Sequence, residues 1–297
     1  MGLRKLIILL LAGLLLGPAA AVPQPSQQKI LIGLIPEMNI FKQKERFKLL
    51  GEYLSKKTGF QVEFTILSRY GNIIESFTTE KMDGAFFGSF TGALAIQKLG
   101  VVPLARPVNL DNASTYQGYL FVRTDSGIRS TADMKGKKMA FVDKATTAGY
   151  VFPLAYLRDN GIASIDGFFR EYYFTGSHDA AVFAVLNKKA DIGAAKHSIY
   201  DRVRKEHPNV DRDLTILAKS PPVPSNGLCV RNDLEEKVKN SLKDALLSLH
   251  TEPEGKKVLE KFQAVKFIET TAQDYQPVLD MAKKAGIDMH RYNYRNE

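Results

Sequence analysis

Short, almost wholly apolar stretches alternate along this chain with longer stretches whose apolar residues return every three or four positions. Ile30-Leu31-Ile32-Gly33-Leu34 is the first of the short runs and predicts a strand buried on both faces; the segment after it places Phe47, Leu50 and Leu54 on one helical face. Strands are predicted at Gln61 to Leu67, Asp83 to Phe87 and Val101 to Ala105, with helices around Ile73, Ile74 and Phe77 and from Ser89 to Leu99. The order β-α-β-α-β-α-β predicts a parallel sheet with helices on both faces.

Shifting the sequence by 108 residues reproduces that order. Ile30 to Leu34 falls on Lys138 to Val142, Glu63-Phe64 on Glu171-Tyr172, and Lys81-Met82-Asp83 on Lys189-Ala190-Asp191. An internal repeat or two independent α/β units would give this match, and both mean two similar lobes. Two segments with matching ends, Tyr119 to Asp125 and Gly227 to Asp233, read as extended strands leading out of a lobe, so the chain is expected to cross twice. Pro221-Pro222-Val223-Pro224 stiffens the return. The remainder is predicted helical, at Asp233 to Leu249, Pro253 to Phe262 and Thr271 to Ala285, and is expected to complete the first lobe.

The N-terminus departs from this pattern. Arg4 and Lys5 precede an apolar run, Leu6 to Leu16, followed by Ala19-Ala20-Ala21, which is the layout of a cleaved export signal. The run is about half the roughly 20 residues that span a bilayer. The lone cysteine, Cys229, lies far beyond it, so a freely diffusing periplasmic product without a lipid anchor is expected. The organisation expected is therefore signal peptide 1–21, first lobe 22–121, second lobe 122–224, and a return with C-terminal helices over 225–297, each lobe an α/β unit with a mostly parallel sheet flanked by helices.

Composition narrows the chemistry. One cysteine excludes an intramolecular disulfide framework, and five histidines without metal-ligand spacing argue against a metal; no cofactor is expected. A net charge of +9 favours an anionic partner, but the basic residues are interleaved with acids, as in Lys42-Gln43-Lys44-Glu45-Arg46, and no nucleic-acid reader motif is present.

Ligands of open α/β sheets sit beyond the carboxyl ends of the strands. The 108-residue shift pairs the loops there: Pro36 to Asn39 with Lys144 to Thr147, Tyr70 with His178, and Gly88-Ser89-Phe90 with Lys196-His197-Ser198. Lys144 to Tyr150 joins a strand to a helix, and its amides with the Thr146 and Thr147 hydroxyls would form an oxyanion nest, or else an ordinary threonine N-cap. His178 would donate to an anion, or stand exposed beside a capping Ser177 or Asp179. Lys196 adds positive potential or is solvated. Tyr70 and Tyr116 aim phenols into the cleft or pack in the core.

Thr146-Thr147-Ala148-Gly149-Tyr150 resembles the Ser-Thr-Ser-Gly-Tyr loop of the phosphate/phosphite/phosphonate-binding proteins of ABC transporters. The resemblance extends over Gly33-Leu34-Ile35-Pro36, Tyr70, Lys81 to Gly88, the Tyr116 region, Gly176-Ser177-His178 and Asp191 to Ala194. It implies the two-lobed architecture of a type II periplasmic binding protein, and a periplasmic protein, monomeric and not an enzyme, that holds a small phosphorus oxyanion through Thr146, Thr147, His178, Tyr70 and Tyr116 and delivers it to a membrane permease. Ser89, Ala148 and Lys196 complete the expected binding set. Two departures stand out: Ala148 replaces a frequent serine, and Ser198 stands where aminoalkylphosphonate binders are expected to place a carboxylate. A sensory module for a membrane kinase, or an enzyme built on His178-Asp179 and Thr147, are the rival readings.

Overall fold

The structure is a computed structural model and describes residues 27–294; the expected signal segment, 1–21, lies outside them. In chain order the strands are β1 (Lys29–Leu34), β2 (Gln61–Ile66), β3 (Gly84–Phe87), β4 (Val102–Asn109), β5 (Thr115–Tyr116), β6 (Gly118–Arg123), β7 (Lys138–Phe141), β8 (Glu171–Phe174), β9 (Ile192–Lys196), β10 (Leu214–Lys219), β11 (Val223–Pro224), β12 (Gly227–Val230) and β13 (Ala264–Glu269). They form a six-stranded sheet, β13-β4-β12-β3-β1-β2, a five-stranded sheet, β10-β6-β9-β7-β8, and a two-stranded pair, β11-β5.

The 108-residue repeat is visible in the topology, since β12-β3-β1-β2 and β6-β9-β7-β8 have the same order and directions. Two parallel pairs open each sheet, but the sheets are mixed rather than mostly parallel: β12 and β6 run antiparallel to both of their neighbours. The reason lies in the crossings. Tyr119 to Asp125 does not lead out of the first lobe but enters the second as β6, and Gly227 to Asp233 enters the first as β12. The crossings precede them and pair with each other, Val223 opposite Tyr116 and Pro224 opposite Thr115.

The helices follow their caps. Asn39 accepts the Phe41 N–H at 3.0 Å and opens the Ile40–Thr58 helix, which buries Phe47, Leu50 and Leu54 on the six-stranded sheet; Gly59, at φ 75°, ends it. The C-terminal part departs from its helical expectation. Ala264–Glu269 is a strand, β13, on the edge beside β4. The last helix, Gln276–Lys284, lies against the Phe152–Asp159 helix of the second lobe as well as the Ser89–Leu99 helix of the first, so it joins the lobes rather than completing one. A continuous apolar cluster accordingly runs from Phe90 and Tyr275 to Phe141 and Phe152.

Candidate functional site

The Lys144 to Tyr150 loop leaves β7 and enters a helix whose opening turn, Thr147–Val151, is wound as a wide i→i+5 turn. Gly149 makes this possible, because a Cβ there would sit 2.5 Å from Val142. The first N–H groups of such a turn have no acceptor within the helix. Thr147 faces the interlobe cavity, and its hydroxyl lies 2.6 Å from that of Ser89 on the opposite lobe. Thr146 also lines the cavity, but its hydroxyl and its N–H both donate to the Asp143 carbonyl, at 2.6 and 3.0 Å, so it shapes the loop instead of offering a free donor. Ala148 is buried beside Gly118, away from the cavity lining.

His178 opens the His178–Leu186 helix and is buried, not exposed. Its Nδ1 accepts the backbone N–H of Lys196 at 3.2 Å, which leaves the ring proton on Nε2. Burial pulls the imidazole down to about 4, with the nearby Lys196 charge assisting and Glu37 opposing. The ring is therefore a neutral donor.

Three side chains from the first lobe and its crossing meet these groups. Tyr116 reaches the Ser89 hydroxyl at 2.5 Å, giving a hydroxyl chain Tyr116–Ser89–Thr147 across the lobes. Tyr70 stacks edge-on to His178, and its buried hydroxyl has no hydrogen-bond partner among the described residues. Burial lifts the Tyr116 phenol to about 12 and that of Tyr70 well above its ordinary value, so both remain protonated donors.

Lys196 is neither solvated nor free. Its ammonium sits 4.5 Å from the Tyr116 ring centroid and donates to Glu37 at 2.8 Å and to Asn226 at 3.1 Å. Glu37 also faces Arg46 at 3.4 Å. Burial works to raise the Glu37 pKa, but Lys196 and Arg46 outweigh it and hold the carboxyl at about 2.

A model of the family described as "ABC transporter, phosphonate, periplasmic substrate-binding protein" matches residues 32–275. The chain belongs to this family. Among its relatives are the phosphonates-binding periplasmic protein of Escherichia coli K12, 25% identical over 273 residues (90% of this chain, 79% of that one). A probable ABC transporter phosphite-binding protein of Prochlorococcus marinus MIT 9301 is 25% identical over 272 residues (88% and 92%). The solved binding component of an ABC phosphonate transporter from Pseudomonas aeruginosa superposes with a TM-score of 0.80 at 26% identity, covering 88% of this chain and 87% of that one.

Within this phosphonate-binding family member, the site gathers Tyr70, Ser89, Tyr116, Thr147, His178 and Lys196, with Thr146 as scaffold. Ser198 lines a different, larger cavity and takes no part. Sequence reasoning missed Glu37 and Asn226. Glu37 did lie in a loop that the 108-residue shift brings to the cleft, but an isolated glutamate carried no sign that Lys196 would come to meet it.

The protonation states predict a pH profile. Between pH 6.5 and about 4 the unfolded chain takes up a proton that folded His178 refuses, so its contribution is complete above 6.5 and is lost as pH falls towards 4. Glu37 holds its contribution until pH falls below 4.5, losing it on the way to about 2. Urea midpoints measured from pH 7.5 to 4 should fall through the upper window, and fall less steeply in His178→Gln, where His197, whose pKa burial also lowers, keeps the remaining slope. A parent profile that is level between 6.5 and 4 contradicts the neutral, buried histidine.

Proposed function

We propose that this chain captures a small phosphorus oxyanion (phosphate, phosphite or a short alkylphosphonate) between its lobes in the periplasm, as a monomer freed of its N-terminal segment, and hands it to the permease of an ABC importer. The observation that carries the reading is the convergence of Tyr70, Ser89, Tyr116, Thr147 and His178 on one buried cavity at a helix N-terminus. All five present neutral donors. The relatives are named for phosphonates and for phosphite, which share an oxygen-bearing phosphorus; that group is what a ring of hydroxyl, imidazole and amide donors recognises.

In the geometry described here the hydroxyls satisfy one another. An entering anion replaces the Ser89–Thr147 and Ser89–Tyr116 bonds with charge-assisted ones, to which Tyr70 adds a donor already stripped of water. Lys196 is neutralised by Glu37, so it leaves this recognition to dipoles and hydrogen bonds.

No bond needs to be made or broken, and the His178-Asp179 pairing required by an enzymatic reading finds no support. Nδ1 of His178 is turned to the Lys196 amide, while Asp179 accepts from the Ser177 hydroxyl and the Asn39 N–H.

Selectivity follows from Glu37 and not from Ser198. Glu37 is the carboxylate on the cavity wall, but its oxygens already face Lys196 and Arg46, so a ligand ammonium would compete with two cations for it. Phosphate, phosphite or methylphosphonate should outrank 2-aminoethylphosphonate. A thermal-shift series checks this, since a ligand at 100 times its dissociation constant adds about 2.7 kcal/mol of stability. If sulfate or carboxylates stabilise the protein and no phosphorus oxyanion does, the reading fails.

A further inference from the structure

The interlobe space continues past the small cavity. Ile35, Glu37, Lys196 and Asn226 form a shared wall, and on its far side opens a second cavity of about 210 Å³. The Lys196–Asn226 hydrogen bond, 3.1 Å, is the part of that wall made by two side chains with no ionic attraction between them.

Cations gather on the far side. Glu37 faces Lys196 and Arg46, and Arg202, from the His197–Glu206 helix, lines the same cavity. Arg46 is committed: its Nε donates to the Phe262 carbonyl at 3.0 Å and its guanidinium stacks over the Phe262 ring at 4.4 Å. Arg202 is half-buried and, among the described residues, hydrogen-bonds to the Met38 thioether at 2.9 Å, a weak acceptor for a guanidinium.

Glu37, Glu206 and Asp179 give Arg202 charge support, but among the described residues none hydrogen-bonds to it and each has another partner. Glu206, on the same helix as Arg202, is held by Lys42 at 2.6 Å, and Asp201 by Arg204 at 3.4 Å. Asp111 accepts the Ala113 N–H and lies 3.8 Å from His197. Asp179 serves Ser177 and the Asn39 amide. Burial lowers the pKa of both Arg46 and Lys196, Glu37 opposes it, and Arg202 adds to the lowering, as expected of like charges sharing a partly dry space.

We propose that this second cavity is a subsite for an anionic substituent, so that the preferred ligands are phosphonates carrying a carboxylate on a short tail, with Arg202 as the residue that receives it. The inference rests on the phosphorus group occupying the hydroxyl-lined cavity. A tail leaving that cavity replaces the Lys196–Asn226 bond and arrives where a guanidinium, whose planar fork matches a carboxylate with two parallel hydrogen bonds, has only a thioether to bind.

Calorimetry with 3-phosphonopropionate, propylphosphonate and methylphosphonate tests it, on the parent and on Arg202→Gln and Arg202→Lys. The parent should bind the carboxylate compound at least about tenfold tighter than propylphosphonate, the span expected of a hydrogen bond to a charged group. Arg202→Gln should bring that ratio to near one, and Arg202→Lys should retain part of it. A ratio near one in the parent, or a high ratio that Arg202→Gln leaves intact, overturns the subsite while methylphosphonate binding upholds the parent reading. Failure of all three compounds to bind overturns the subsite, and the parent reading falls with it only if phosphate and phosphite fail to bind as well. Should Arg202→Gln not fold, the parent ratio together with Arg202→Lys decides.

Discussion

Replacing Lys196 with methionine should open the protein rather than unfold it. Lys196 comes from β9 of the five-stranded sheet and Glu37 from the loop after β1 of the six-stranded one, so their 2.8 Å contact exists only while the lobes are together. Removing one partner of a buried pair costs up to about 3–5 kcal/mol, less where a second cation such as Arg46 remains beside the carboxylate. The chain has a cheaper response than unfolding. Separating the lobes returns Glu37 to water while Arg46, on the same lobe, keeps its hold on it. An equilibrium needs about 5.5 kcal/mol to pass from 1:99 to 99:1, so the substitution moves the balance toward the open form by a part of that span. Small-angle scattering should show a larger radius of gyration for Lys196→Met without ligand, with a global unfolding free energy close to that of the parent. An unchanged radius with a strongly lowered urea midpoint would mean that the lobes are welded.

The second large effect falls on binding. Thr147→Val and His178→Ala should each weaken capture of methylphosphonate by roughly 1.5–3 kcal/mol, the value of a hydrogen bond to a charged group. The mechanisms differ. Thr147→Val keeps the shape of the turn and removes one hydroxyl from the Tyr116–Ser89–Thr147 chain, which also frees Ser89. His178→Ala removes the Nε2 donor and leaves the Lys196 amide without its acceptor, so part of its effect is a displaced Lys196. Titration calorimetry resolves losses of this size. Parent-like affinity in both variants would place the anion elsewhere.

The sequence carried the repeated β-α units because buried strands and amphipathic helices write their period into local residue types, and the structure places β12 and β6 at the same relative position that the 108-residue shift gives Gly227 and Tyr119. Strand direction was not legible. Nothing within Gly227–Val230 says that it will enter the first sheet antiparallel to β3, since that depends on which lobe the chain has just left. Ala264–Glu269 escaped notice because Lys266 and Glu269 interrupt its apolar pairs Ala264-Val265 and Phe267-Ile268, so no strict alternation marks this edge strand. At the site, the hydroxyls and His178 were visible as residue types in loops that a fold of this kind brings together. The Glu37–Lys196 pair was not, because it joins residues 159 positions apart and its strength comes from burial, which no local pattern reports. Thr146 shows the converse: its type suits an anion, but its donors are spent on Asp143 three residues earlier.

The sheet order also fixes when each half of the molecule can be finished during synthesis. Every strand of the five-stranded sheet lies between Gly118 and Lys219, so that half is complete as soon as this stretch has emerged. The six-stranded sheet has a gap in its middle until β12 arrives, because β3 and β4 do not pair with each other but only with β12 between them. The first half to be made is thus the last to close. Until Gly227–Val230 is delivered, β3 and β4 present unpaired backbone edges, which are open to any strand that meets them. Late closure makes the leading part of the chain dependent on protection from aggregation for as long as the remaining residues take to follow.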